Sequence, residues 1–153
     1  MIRIGPESPL GADLADLMAR HTHAMHADTP PESIHMMDAS ELAAPGIAFH
    51  VMREDGRPIG MGAVKRIGAD EGEIKSMHVL AELRGRGLAR RMLDHLVAEA
   101  LASGINRLSL ETGSQESFLA ARRLYETAGF VPCPPFADYR EDPMSVYLTL
   151  RLA

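Results

Sequence analysis

Four arginines fall within eight residues in Arg84-Gly85-Arg86-Gly87-Leu88-Ala89-Arg90-Arg91. Gly85 and Gly87 let the backbone come close to a ligand, and successive free N–H groups there form a nest for an anion. A helix opening at Leu88 adds the partial positive charge of its N-terminus. Arginines in a first helical turn oppose the helix dipole, so the run makes sense around an anion such as a pyrophosphate. The spacing also fits a solvated basic turn. Other phosphate motifs fail: no Gly-Lys-Ser/Thr is present, and Arg90 stands where a dinucleotide fingerprint needs its third small residue.

Other residue types carry chemistry singly or in pairs. Glu73 and Lys75 fall two apart on an extended stretch, a spacing that brings opposite charges to about 6–7 Å on one face. Strict alternation puts Glu73, Lys75, Met77 and Val79 on that face and Ile74, Ser76 and His78 on the other. Lys65 and Lys75 are the two lysines among 16 basic residues. Tyr125 beside Leu124 reads as a core tyrosine of an amphipathic helix. Glu111 reads as a second base or as part of the cap of the following helix. His78 reads as a proton relay or a structural histidine. His21, His23 and His26 do not share one helical face and do not form a His-Glu-x-x-His pattern, so no metal is expected. Cys133 lies between prolines with no cationic neighbour in sequence and is expected to be unreactive.

These groups need a scaffold, and the pattern supplies one. Ile2 and Ile4 suggest a first strand. Ser8-Pro9 reads as a helix start, followed by a stripe of Leu10, Leu14, Leu17, Met18, His21 and Met25. Asp38 with Glu41 forms a capping box for a short helix. Strands are expected at 47–54 and 59–67 about an Asp55-Gly56 turn, then at 73–79. Gly60 and Gly62 weaken the second of these. A helix over 88–102 keeps Leu88, Met92, Leu96, Val97 and Leu101 on one face. A strand over 105–111, a helix over 116–128, a short strand at Phe130-Val131 and a last strand over 145–152 complete the order. The strand–helix–strand passage from Glu73 to Glu111 implies one parallel pair in a mixed sheet.

The chain has 153 residues with 46% hydrophobic and 24% charged residues, which suits one domain over 1–153 with a substantial core. Its net charge of −5 excludes a broad basic surface for nucleic acid but not a local phosphate pocket. One cysteine excludes an intrachain disulfide framework and fits a reducing cytoplasm. No targeting segment or membrane-length apolar run is visible, so no membrane partner is expected.

Two motifs together resemble the GNAT superfamily of acyl-CoA-dependent N-acyltransferases. Arg84-Gly85-Arg86-Gly87-Leu88-Ala89 matches its Gln/Arg-x-x-Gly-x-Gly/Ala signature, and Leu124-Tyr125-Glu126-Thr127-Ala128-Gly129-Phe130 matches its Leu-Tyr-Glu-x-x-Gly-Phe helix ending. The resemblance covers the whole chain, best from Ile47 to Phe130. One departure is Phe118, where many members place an asparagine that contacts the cofactor; Ser114 and Ser117 are the available substitutes.

The resemblance implies an α/β fold with a bent, mostly antiparallel sheet, one splayed parallel pair and helices on both faces. It implies acetyl-CoA as co-substrate, with no metal. The backbone of Met77, His78 and Val79 would pair with pantetheine, the segment Arg84, Gly85, Arg86, Gly87, Leu88, Ala89 and Arg90 would hold the pyrophosphate, and Ser117 would add a contact. Tyr125 would protonate the leaving thiolate, and Glu73 would deprotonate the amine, directly or through water. Acceptor contacts would come from Lys75, His35, Tyr139 and Arg140, with Lys75 and Arg140 facing a carboxylate. Lys75 reads equally as a partner of Glu73. The implied reaction is direct acetyl transfer to a primary amine of a small molecule such as an amino acid or small peptide. A non-catalytic acyl-CoA-binding or sensing domain is the alternative, and a homodimer stays open as a partner.

Overall fold

The computed structural model describes residues 1–152. Seven strands lie in the order β1-β2-β3-β4-β5-β7-β6. They are β1 (Ile2–Pro6), β2 (Ile47–Glu54), β3 (Arg57–Arg66), β4 (Glu71–Val79), β5 (Arg107–Gly113), β6 (Val131–Pro132) and β7 (Ser145–Arg151). The helices are α1 (Ala15–His26), α2 (Ala39–Leu42), α3 (Leu88–Ala102) and α4 (Leu119–Thr127). All strand pairs are antiparallel except β4–β5. This is the mixed, mostly antiparallel α/β architecture with one parallel pair. No helix among the described residues is long and apolar enough to cross a membrane.

Local chemistry sets several boundaries. Asp55 and Gly56 both take positive φ, as a two-residue type I′ hairpin between β2 and β3 requires. Asp38 accepts from the Glu41 amide at 2.8 Å while Glu41 reaches back to the Asp38 amide, completing the capping box of α2. The helix expected from Ser8-Pro9 starts later. Ser8 Oγ instead accepts from the Leu10 amide, a 3-10 turn covers Ala12–Leu14, and Leu10 is 61% exposed. The side chain of serine offered the backbone a turn in place of a cap. The expected helix over 116–128 likewise opens with a 3-10 turn, Glu116–Phe118, before α4.

The core lies between the sheet and the buried face of α3, which carries Leu88, Met92, Leu93, Leu96 and Ala100. Gly62 strengthens this packing where its composition suggested weakness. A Cβ there would lie 2.7 Å from Leu96 Cδ1, so glycine lets α3 sit directly on β3.

Two irregularities interrupt β4. First, its parallel pairing with β5 ends at Glu73 opposite Ser109, after which both strands run on separately. One edge of β4 beyond Glu73 therefore has no strand partner. Second, the register with β3 shifts between Met61 and Ala63: Ala63 pairs with Lys75, and Met61 with His78. Ser76 sits in this bulge at φ +55, a conformation costing a serine roughly 1–2 kcal/mol. The bulge overturns strict alternation. Glu73, Lys75 and His78 share one face, while Met77 and Val79 turn to the α3 face beside Gly62 and Gly60. An inserted residue flips every later side chain.

Candidate active site

The open end of the β4–β5 split faces the turn that leads into α3. Gly85 has φ +84 and Gly87 φ +74, and each has open space where a Cβ would stand. The first hydrogen bond of α3 runs from the Arg91 amide to Gly87 O at 3.2 Å. The amides of Leu88, Ala89 and Arg90 thus precede the first intrahelical donor and point out of the helix start. Two of the arginine side chains are directed elsewhere. Arg86 is bound to both oxygens of Glu54, at 3.1 and 2.6 Å, and Arg90 pairs with Asp94 at 2.9 Å. Arg84 is exposed, and no ion pair engages it among the described residues. The nest is therefore built mainly from backbone.

Tyr125 approaches the same split from α4. It is 7% exposed, its ring meets Phe130 edge-on at 5.7 Å, and its hydroxyl lies 4.0 Å from Met77 Sδ. The Leu-Tyr-Glu-x-x-Gly-Phe ending has a physical reason here. The helix stops at Gly129, and the Phe130 amide bonds to Tyr125 O at 3.0 Å, folding the phenyl ring onto the tyrosine. Arg122 pins α4 to the end of β5 through the carbonyls of Gly113 and Gln115 at 2.7 and 2.8 Å. Burial pushes the Tyr125 phenol up to about 12, with the nearby Glu111 charge adding to the effect. It stays a proton donor at neutral pH.

On the opposite face, chain segments far apart in sequence converge. Tyr139 donates to Glu73 Oε2 at 2.5 Å, and Lys75 Nζ stands 3.4 Å from the same oxygen. Lys75 also donates to His35 O at 2.8 Å and to Tyr139 Oη at 2.9 Å. The Glu73 side chain is 3% and the Lys75 side chain 11% exposed. The His35 and Tyr139 rings meet edge-on at 5.2 Å, and Phe136 and Tyr147 extend this aromatic wall. Burial and the Glu73 charge raise the Tyr139 phenol far above its ordinary value. Glu111 joins from β5, accepting from Ser145 Oγ at 2.8 Å. Its carboxyl is held above the usual range by burial, against the lowering influence of Ser145, His35 and Lys75.

The structure thus gathers Glu73, Lys75, His35 and Tyr139 into one cluster, and Tyr125 with Met77 at the split. It leaves others apart. Arg140 is exposed; its carbonyl accepts from Tyr147 Oη at 2.7 Å, and no contact joins its guanidinium to the cluster among the described residues. Ser117 Oγ donates to Asp28 Oδ2 at 2.7 Å, so a cofactor contact would require it to change partner. Phe118 lays its ring against Gly113 at the end of β5. His78 packs edge-on to His21 at 5.2 Å instead of facing α3. Burial and the His78 neighbour push His21 down to about 4. Sequence reasoning missed the Glu54–Arg86 pair and the Ser145–Glu111 bond, whose partners are 32 and 34 residues apart. No local pattern marks either.

Comparison with known proteins agrees with this geometry. The family description "Acetyltransferase (GNAT) family" matches residues 14–130. The chain is 45% identical over 142 residues to the uncharacterized N-acetyltransferase YsnE of Bacillus subtilis, covering 93% of this chain and 94% of that one. It is 35% identical over 148 residues to the IAA acetyltransferase of Azospirillum brasilense, covering 96% and 95%. Among solved structures, a Klebsiella pneumoniae protein bearing an inferred acyl-CoA N-acyltransferase name superposes with a TM-score of 0.77 at 26% identity, covering 100% of this chain and 99% of that one. The split sheet, the glycine–arginine turn and the tyrosine at the end of α4 therefore stand in a chain that belongs to the GNAT family of acetyltransferases.

Proposed function

We propose that this protein transfers the acetyl group of acetyl-CoA to a primary amine of a small molecule, by direct attack within a ternary complex. The observation that carries this reading is the parting of β4 and β5 beyond Glu73 and Ser109, with a buried tyrosine hydroxyl at the gap. An extended pantetheine arm fits an unpaired strand edge as an added strand would, so the backbone of Met77, His78 and Val79 takes that role. The turn from Arg84 to Arg90 meets the pyrophosphate with its amides, and Arg84 adds charge.

Tyr125 gives its proton to the departing thiolate. At about 12 the Tyr125 phenol holds its proton at neutral pH, so it stands ready to donate as negative charge develops on sulfur. A carboxylate on the opposite face, the buried Glu73 or the half-buried Glu111, takes the proton from the ammonium, which has a pKa of about 10 as a free alkylamine. Among the described residues, none near the gap offers an activated nucleophile, which supports direct attack over an acyl-enzyme route. Much of the acceleration comes from holding the amine against the thioester.

The acceptor enters from the face of Lys75, His35 and Tyr139. An amino acid or small peptide is the first class we propose: Glu73 and Glu111 suit its ammonium, and the exposed Arg140, next to Tyr139 in the chain, would have to turn toward the cluster to meet its carboxylate. Lys75 is occupied by three oxygens, so it shapes the pocket wall and meets a carboxylate only by giving one up. The testing experiment is a thiol-release screen with acetyl-CoA against amino acids, dipeptides, polyamines and aminoglycosides. Turnover is expected with members of the first two classes. Activity confined to aminoglycosides or polyamines would replace the acceptor, and no turnover with any amine would remove the enzymatic reading.

A further inference from the structure

One buried carboxylate, Glu73, and one half-buried, Glu111, lie on the same face of the sheet, and their surroundings differ in kind. Glu73 occupies the last paired register of the parallel strands, opposite Ser109, at the closed foot of the split. Its Oε2 already takes the Tyr139 hydroxyl and stands beside the Lys75 ammonium. Its side chain is 3% exposed. A carboxylate so placed has given its charge to a fixed donor and a fixed cation, and neither is released without opening the pocket wall.

Glu111 lies two positions past Ser109 on β5, about 6–7 Å farther along the strand and beside the unpaired stretch of β4. Its register partner on β7 is Tyr147, whose ring touches Tyr139, so it projects to the acceptor face with Lys75 and His35. Ser145 binds Oε2, and no hydrogen bond engages Oε1 among the described residues. Tyr125 comes from the other side of the sheet, through the Met77 that packs toward α3, yet it is close enough to feel the Glu111 charge. The gap therefore has Tyr125 on one side and Glu111 on the other.

We infer that Glu111, and not Glu73, takes the proton from the acceptor amine; this rests on the acetyl-transfer reading above. The ammonium gives one proton to Glu111 Oε1, which passes it to solvent. The freed nitrogen lone pair forms the C–N bond at the thioester carbon. The C–S bond then breaks with its electron pair going to sulfur, and Tyr125 protonates that sulfur. The second proton lost by nitrogen, carried through solvent, restores the phenol. The net change is one ammonium and one thioester giving one amide, one thiol and one proton. Glu73 is then a positioning residue that fixes Tyr139 and Lys75 as the wall of the pocket.

Burial supports this assignment by holding the Glu111 carboxyl above the ordinary glutamate range, where a base is stronger near neutral pH. The groups that face it are Glu73 and Lys75 on β4, His35 before α2, Tyr125 on α4, Tyr139 in the loop before β7, and Tyr147 on β7.

The test compares Glu111→Gln with Glu73→Gln, using acetyl-CoA and the amine that wild type turns over best. Glu111→Gln is expected to lower kcat by about 100-fold or more and to erase the acidic limb of the pH–kcat/KM profile. Its affinity for acetyl-CoA in calorimetry should stay within about twofold of wild type, because the substitution keeps shape and the Ser145 contact. Glu73→Gln should keep the limb and raise the acceptor KM. A Glu111→Gln enzyme with the wild-type limb, or a limb lost in Glu73→Gln instead, overturns the assignment while leaving acetyl transfer standing. Should Glu111→Gln not fold, Glu111→Asp must retain the limb at reduced kcat; loss of the limb there also overturns it. Carboxyl-carbon NMR of wild type gives a readout independent of turnover. The Glu111 signal is expected to titrate above the ordinary glutamate range, and an ordinary titration counts against the proposal. If wild type neither binds nor turns over acetyl-CoA, the functional reading fails first and takes this one with it.

Discussion

The glycine–arginine turn and the Lys75 cluster solve opposite problems. The turn is local: Gly85 and Gly87 bend a few consecutive residues so that successive amides face outward, and the arginines around them are exposed. The cluster is assembled from β4, the segment before α2 and the loop before β7, and its charges are buried against one another. An anion that arrives with its own charges needs only waiting donors, whereas a proton-transfer pocket must hold carboxylates away from water without leaving them unpaired. On the proposed function, the first region would bind by backbone geometry and the second would act through the placement of a few side chains.

Substitutions can break this contrast at graded strengths. Besides Glu111→Gln, the largest effect is expected for Tyr125→Phe, which removes the hydroxyl at the split. Turnover should fall by about 100-fold with acetyl-CoA affinity nearly unchanged, as steady-state rates and calorimetry would show. Wild-type turnover in this variant would remove Tyr125 as the acid.

Next comes His21, buried against the half-buried His78. The pKa of His21 in the folded chain lies near 4, below the unfolded value of about 6.5, so the unfolded chain binds the extra proton between them. Its contribution is complete above pH 6.5 and is lost as pH falls toward 4. Urea unfolding at pH 7 and pH 5 should differ by about 2 kcal/mol from this residue, and His21→Leu should remove that much of the difference. An unchanged difference in His21→Leu would contradict the buried, neutral assignment.

The smallest effects belong to the turn, and they sharpen the claim that backbone does the binding there. Gly87→Val imposes a side chain at φ +74 and should weaken acetyl-CoA binding about tenfold. Arg86→Ala removes a guanidinium already committed to Glu54 at the surface and should cost less than about threefold. Calorimetry that reversed this order would show that side-chain charge, not the nest, holds the anion.

The same contrast decides what could be read from the sequence. The nest, the capping box of α2, the hairpin at Asp55-Gly56 and the apolar face of α3 each depend on residues within a few positions of one another. Their chemistry is visible as spacing. The parallel pair was legible because a strand–helix–strand passage admits few geometries. The bulge at Ser76 was not, since it arises from the pairing of β4 with β3 and carries no turn signature. Missing it misplaced Met77, His78 and Val79 across the sheet. The roles of Arg86 and Arg140 were likewise hidden, because Glu54 and Tyr147 reach them only after the strands assemble. Glu111 was visible as a carboxylate at a strand end, but its environment of Ser145, Lys75 and Tyr125 exists only in the folded chain.

The central claim is that the β4–β5 split delivers an acetyl group from acetyl-CoA to an amine. Its most direct test is a mass balance with isotope-labelled acetyl-CoA: free thiol and labelled amide are measured in the same reaction with an amino acid or dipeptide acceptor. One labelled amide per thiol released, both reduced together by about 100-fold in Tyr125→Phe, is the predicted result. Thiol release without amide, or bound acetyl-CoA that stays intact with every amine, would contradict it.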